Sequence, residues 1–314
     1  MIDNLTLYKF FLQAAKSGSV TNAARELFVT QPAVSSGITQ LENALGVKLF
    51  FRTSKGITLT PEGELLYEYV NSGLSLLETG EDKLRDLSGL NSGIMRIGAS
   101  DMTLKFFLLD YIEKFNLEYP KIKLVISNNP TPKTLAALKQ GQIDFCVISE
   151  PAGHDADIAF IPVRYIRDIA VCRNTAPYAG LLDKKISLND LKGYTLIMLE
   201  KGTSTRTYWA DHFKAHNAHG ENALEPDIEL AQSELIKDFA VKGLGVAFIV
   251  EDFVKDQLKS GILREIIFEE PIAERRFMLC YLNKIPLSAS PRKFMEMLSA
   301  PPGNYSMGEP VFSD

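Results

Sequence analysis

Apolar residues recur at helical spacing through the first sixty positions. Leu7, Phe10, Phe11 and Ala14 fall at i, i+3, i+4 and i+7, the stripe of an amphipathic helix that Gly18 ends. Ser19 then caps a second, short helix with the apolar face Val20, Ala23, Ala24 and Leu27, whose alanine pair lets another helix approach closely. Thr30 is the N-cap of a third helix. Pro32 is tolerated there because first-turn N–H groups have no helical partner. That helix buries Val34, Ile38, Leu41 and Leu45 and stops at Gly46. Helix, tight helix, turn, helix is the spacing of a helix-turn-helix. The outward face of the third helix, Gln31, Ser35, Ser36, Thr39 and Gln40, suits base edges and phosphates, and equally a solvated face of a small bundle. The next segment favours DNA. Residues 49–53 and 57–60 read as two strands around Ser54, Lys55 and Gly56, with Arg52 and Lys55 near the tip, which makes a basic wing.

Thr60, Pro61 and Glu62 start a long helix with a cap, a first-turn proline and an acid at the positive dipole end. Its apolar positions follow a heptad, with Val70, Leu77 and Leu84 on one row and Leu66, Gly73, Gly80 and Leu87 on the other. That spacing predicts a seam against a partner helix, the alternative being packing on the chain's own C-terminal domain. A Ser, Gly and Asn-rich break at 88–93 marks a boundary. Beyond it strands and helices alternate: strand 94–100, helix 104–118, strand 123–127, helix 132–140 and strand 143–148. Strands at 166–172 and 195–199, a helix from Thr205, a strand at 228–230, a helix from Ser233 and a strand at 245–250 follow. The pattern predicts an α/β domain with helices on the sheet faces.

Composition adds limits. The 314 residues, 46% hydrophobic and 23% charged, are those of a globular protein of two or three folding units. No run approaches the ~20 apolar residues of a membrane span, and the first residues lack a basic start and an apolar stretch, so a cytoplasmic location is expected. The net charge of −5 is uneven. Residues 1–60 carry six basic and three acidic groups, whereas 61–88 carry two and seven, so the head alone is expected to meet nucleic acid. Cys146, Cys172 and Cys280 lie in short apolar runs and read as buried reduced thiols. His212, His216 and His219 have the spacing of a shared metal on a helix, but the stretch is polar and Gly220 follows, so solvated histidines are expected and no metal or other cofactor. There is no GxSxG, phosphate-binding loop or GxGxxG after a strand, and no enzyme activity is expected.

The run from Thr21 to Leu66 resembles the DNA-binding signature of LysR-type transcriptional regulators. The matching residues are Ala23 and Ala24, Thr30 to Ala33, Ser35, Leu41 and Glu42, Leu45 to Val47, Leu49 and Phe50, Arg52, and Leu59 and Thr60 before Gly63. The resemblance implies a winged helix-turn-helix over 1–60 whose third helix enters the major groove of double-stranded DNA. Gln31, Pro32, Ser35, Ser36, Thr39 and Gln40 then face the bases, and Arg52 and Lys55 the flanking backbone. One departure stands out: Ser36, Gly37 and Gln40 occupy positions where the family commonly has basic residues, so this helix is uncharged. The long helix, 61–88, is by resemblance the dimerisation linker, with Val70, Gly73, Leu77, Gly80 and Leu84 at the seam of a homodimer or homotetramer.

Residues 135–148 and 236–249 resemble recurring elements of the LysR-type effector domain. That implies, over 89–300, a two-lobe α/β fold like a type 2 periplasmic binding protein. Lobe one takes 92–163 and 269–300, lobe two 165–266, and a loosely packed tail 301–314. In such folds ligands lie beyond the carboxyl ends of strands, where helix N-termini offer free N–H groups. The loops Ser100, Asp101, Met102 and Thr103, then Asn128 and Asn129, and then Gly202, Thr203, Ser204 and Thr205 qualify, although the same hydroxyls would serve as plain caps. They suit a small anionic effector, with Arg206 either its counter-charge or packed outward. The expected protein is an effector-controlled regulator of transcription. The rival reading, a solute-binding protein of transport, needs an export signal and no winged helix.

Overall fold

The computed structural model describes residues 4–53, 56–86, 93–150, 155–216 and 224–299. They fall into two compact units, 1–85 with 139–142, and 86–138 with 143–314.

The first unit begins with α1 (Leu5–Ser17), α2 (Val20–Glu26) and α3 (Gln31–Leu45). Asn4 and Ser19 cap the first two through side-chain oxygens that accept from Thr6 and Asn22 N–H groups, which satisfies donors the helix itself leaves free. Leu7, Phe11, Ala14, Ala23, Ala24, Val34, Ile38 and Leu41 close one core, whereas Leu45, expected inside, is exposed. Gly37 explains itself here. A Cβ on it would sit 2.5 Å from the Phe10 ring, so the position is the contact surface between α1 and α3. The wing is β1 (Phe50–Thr53) antiparallel to β2 (Gly56–Leu59), and α4 (Pro61–Asp86) follows. Thr60 caps α4, its hydroxyl accepting from Gly63 N–H and donating to the Lys48 carbonyl. Gly63 is required there because a Cβ would lie 2.2 Å from the Leu49 carbonyl oxygen.

The turn between α2 and α3 is unusual. Phe28 N–H donates to the Arg25 carbonyl and Val29 N–H to the Ala24 carbonyl, the paired bonds of a Schellman motif. Its left-handed position, commonly glycine, is Phe28 with φ +56°, and the ring is 96% exposed.

The second unit holds two sheets. One has the order β4-β3-β5-β13-β6, with β3 (Gly93–Ala99), β4 (Ile122–Asn128) and β5 (Phe145–Ser149) parallel; β13 (Arg275–Leu282) and β6 (Ile158–Ile166) complete it antiparallel. The other has the order β10-β9-β11-β7-β12-β8. Its strands are β7 (Asp168–Arg173), β8 (Lys185–Ile186), β9 (Leu196–Leu199), β10 (Ile228–Leu230), β11 (Val246–Val250) and β12 (Leu263–Phe268). Among the described residues two segments cross between the sheets, 166–168 and 268–275. The helices are α5 (Asp101–Thr103), α6 (Leu109–Glu118), α7 (Thr131–Lys139), α8 (Ser204–Ala215), α9 (Ser233–Val241), α10 (Lys255–Lys259) and α11 (Ala289–Ser299). The helix expected over 104–118 is broken by a π segment, Leu104–Leu108, a distortion frequent at functional sites. One core spans both sheets, including Ile97, Phe145 and Phe277 with Ile169, Ile197 and Ile249.

Candidate functional site

The outward face of α3 is a shallow groove lined by Pro32, Ser35, Ser36, Thr39, Gln40 and Asn43, and Gln31 is exposed at its first turn. Asn43 was missed in the sequence, where it reads as one more polar residue near a helix end. The Thr39 hydroxyl donates to the Ser35 carbonyl, which turns its remaining capacity to acceptance and its methyl outward from the bond. Below the groove the Glu42 carboxylate is buried, accepting from Lys48 Nζ at 2.7 Å and Leu49 N–H at 2.9 Å. Burial works to raise its pKa, but Lys48 and the backbone donors outweigh it, and the carboxyl lies below its ordinary value. Glu42 therefore ties α3 to the wing. Arg52 is exposed on β1; Lys55 lies outside the described residues.

On α4 the seam differs from the heptad expectation at one position. Val70 is buried with Leu74 in the winged-helix core, so it is not on a free face. Gly73, Leu77, Gly80 and Leu84 remain, joined by exposed Leu65, Tyr69 and Leu76. At about 100° per residue these seven share one third of the helix circumference, with both glycines at its centre. A Cβ on either glycine would meet nothing within 4 Å. Leu87 and the 88–92 break lie outside the described residues.

In the second unit the end of β5 and the start of α8 adjoin at a junction between the two sheets. Ser100 caps the helical stretch after β3: its hydroxyl accepts from Thr103 N–H and lies 2.8 Å from the Thr103 hydroxyl. Thr103 is buried, and Met102 is packed in the core rather than presented to a cleft. Asp101 is exposed and accepts from the Asn128 side chain, and the Asn129 carbonyl accepts from Thr134. Gly202 has φ +93° and turns the chain into α8. Thr203 caps that helix at Arg206 N–H, which commits its hydroxyl. Ser204 Oγ, at the start of α8, lies 2.5 Å from Ser149 Oγ at the end of β5. Nothing in the sequence flagged Ser149, because DFCVIS reads as buried strand to its last residue.

The crossovers meet beside this junction. Arg275 donates through Nε and Nη2 to both oxygens of Asp168, at 2.6 and 2.7 Å, and through Nη2 to Thr205 Oγ1 at 3.1 Å. Its Nη1 donates to the Glu150 carbonyl, and its guanidinium lies 4.9 Å from the centre of the Tyr208 ring. Burial raises the pKa of Asp168 above the ordinary carboxylate value against the pull of Arg275, and burial followed by Asp168 pushes the Tyr208 phenol up to about 12. Arg206, expected either as counter-charge to the effector or packed outward, is instead buried and pairs with Glu225 and Glu229. The histidine expectation needs correction. His212 is buried against Tyr208 and Trp209, its Nε2 has no partner among the described residues, and burial followed by His216 lowers its pKa. His219 lies outside the described residues, among which no metal-binding cluster occurs. Cys146, Cys172 and Cys280 are buried free thiols.

Comparison with known proteins gives the frame for both sites. Residues 5–64 match the family model of the bacterial regulatory helix-turn-helix protein, lysR family, and 88–300 that of the LysR substrate binding domain. A probable RuBisCO transcriptional regulator of Cyanophora paradoxa is 30% identical over 79% of this chain and 76% of its own. The HTH-type transcriptional activator CmpR of Synechocystis sp. is 28% identical over 95% of this chain and 96% of its own. Full-length CbnR, solved in complex with its target DNA, shares the fold at a TM-score of 0.66 and 15% identity, over 94% of this chain and 98% of that one. A winged helix whose reading face is free and a two-sheet domain whose strand ends converge are thus the two halves of one regulator: the chain belongs to the LysR family of DNA-binding transcriptional regulators with an effector-binding domain.

Proposed function

We propose that this regulator reads its operator through the neutral face of α3, Gln31, Pro32, Ser35, Ser36, Thr39, Gln40 and Asn43, and holds flanking phosphates through Arg52 and Lys55. The observation that carries the reading is the groove itself: every side chain lining it is uncharged, and all but Pro32 are hydrogen-bonding. Glutamine and asparagine pair with adenine, and the threonine methyl suits thymine. Affinity, which depends on phosphate neutralisation, then falls to the wing. Arg52→Ala is expected to weaken binding to all sequences alike and to reduce the salt slope by about 1. Gln31→Ala is expected to relax preference at a single base pair. Binding titrations across salt concentrations on operator variants check both, and an altered sequence preference with an unchanged salt slope in Arg52→Ala would refute the division.

The effector is a small anion held at the junction of the two sheets by Ser100 and Thr103 on one side and Ser204 and Thr205 on the other. Supporting this are the convergence of hydroxyls from both sheets and the helix N-terminus of α8, whose first-turn N–H groups favour negative charge. The regulator acts as a homo-oligomer through α4, whose exposed leucines flank two glycines with open space above them. Effector binding favours one arrangement of the two sheets over another and so shifts an existing equilibrium.

A further inference from the structure

At the junction of the two sheets, the hydroxyl protons of buried Ser149 and Thr205 and half-buried Ser204 outnumber the acceptors that the described residues supply. Ser149 and Ser204 share one hydrogen bond, so whichever hydroxyl accepts keeps a proton with no acceptor. Thr205 is 5% exposed, and among the described residues its hydroxyl has one hydrogen-bond contact, with Arg275. A guanidinium has donors and no acceptor, so that contact runs only from Arg275 to Thr205. The Thr205 proton must therefore point away from Arg275. Nor can Arg275 swing aside: Asp168 holds it from two atoms, the Glu150 carbonyl from a third, and Tyr208 covers one face. Its side chain is 3% exposed and that of Asp168 fully buried. A pair so buried adds little stability over apolar groups of the same shape, so stability alone does not account for it.

We propose that Arg275, anchored by Asp168, is a positioning residue that presets Thr205 as a hydrogen-bond donor to the effector, with Ser149 and Ser204 supplying a second donor. The inference rests on the junction being the effector site, and it deepens that reading by naming what the site selects. Fixed donors converging from both sheets, beside the first-turn N–H groups of α8, take a group that only accepts: a carboxylate or another oxyanion. A neutral amide of the same shape offers one acceptor atom where the carboxylate offers two, and it sets its N–H groups against the outward Thr205 proton, so it binds more weakly. The buried ion pair thus acts on specificity through the direction of one hydroxyl.

The test uses the full chain and two probes of matched shape, acetate and acetamide, titrated at constant ionic strength with thermal unfolding and calorimetry as readouts. The wild type is expected to bind acetate saturably and acetamide at least about tenfold more weakly, a difference of about 1.4 kcal/mol. Thr205→Val keeps the shape, removes the hydroxyl and should weaken acetate to a similar degree. In the double variant Arg275→Met with Asp168→Leu the Thr205 hydroxyl turns freely, so the ratio of acetate to acetamide affinity should collapse. A purely structural role would leave that ratio unchanged. Should the double variant fail to fold, Arg275→Lys, which keeps the charge and loses the planar fork, should lower the ratio in the same direction. An unchanged ratio in a folded Arg275 variant overturns the positioning role while leaving the effector site standing. A wild type with no saturable response to acetate overturns both.

Discussion

Replacing Phe28 by glycine should stabilise the winged-helix unit, although it deletes an aromatic ring. The ring is 96% exposed, so its removal forfeits almost no burial. What the substitution relieves is the backbone at φ +56°, where the side chain crowds the following carbonyl. That strain is about 1–2 kcal/mol for an L-residue. Glycine offsets part of the gain, about 0.4–1 kcal/mol, by loosening the unfolded chain. The net expectation is about 1 kcal/mol, which in a unit of this size raises the unfolding midpoint by about 4–8 °C. Phe28→Ala is the control. It removes the ring and keeps the Cβ, so the strain persists and stability should stay within about 0.5 kcal/mol of wild type. Thermal and urea unfolding of the three proteins, followed through the winged-helix transition, decide the matter. If glycine leaves the midpoint unchanged or lowers it, or if alanine gains as much as glycine, strain in the Schellman turn is not what the position stores.

Two further outcomes follow from other sites. The folded chain holds His212 neutral by burial, with His216 adding to the effect and Glu270 opposing it. A folded pKa below the unfolded one means that the unfolded chain binds the extra proton, so stability should fall as pH drops from about 7 to about 5. His212→Phe should flatten that part of the urea-midpoint profile, and an identical profile in the variant would remove His212 as its source. On α4, Gly73→Leu improves helix propensity by about 0.8–1 kcal/mol, and its Cβ meets nothing within 4 Å among the described residues. It should nonetheless weaken self-association in sedimentation if the glycine stripe is the seam, and an unaltered oligomer would place the seam elsewhere.

What the residues determined alone was everything local or periodic. The stripes of α1 and α3, the cap Ser19, the proline at the start of α4 and the two wing strands each depend on near neighbours, and they suffice for the fold class and the family; Thr30 takes the N-cap position of α3 without a side-chain capping bond. The same holds for β3, β4, β5, β9, β10 and β11, where short apolar runs alternate with helices. The strands β6 and β12 were not legible: Pro162 interrupts FIPVRYI, and β6 takes its place only by antiparallel pairing with β13 far along the chain, whereas the apolar run FMLCYL of β13 itself reads as a strand. Tertiary structure also decided which member of a pattern faces where. Val70 keeps heptad register and is still drawn into the winged-helix core, because that core lacks a lid until α4 supplies one. Met102 sits in a loop of polar neighbours and buries itself in the core. His212 reads as solvated beside Asp211 and Lys214, and the folded helix instead buries it against Tyr208 and Trp209. Ser149, Asp168 and Arg275 were invisible for the same reason. Each ends or begins a strand, and only the meeting of two crossovers more than a hundred residues apart brings one guanidinium to both the carboxylate and the Thr205 hydroxyl. Sequence spacing encodes contacts within a turn or a strand; a buried polar cluster depends on where separate strands end, and the packing of the two sheets sets that.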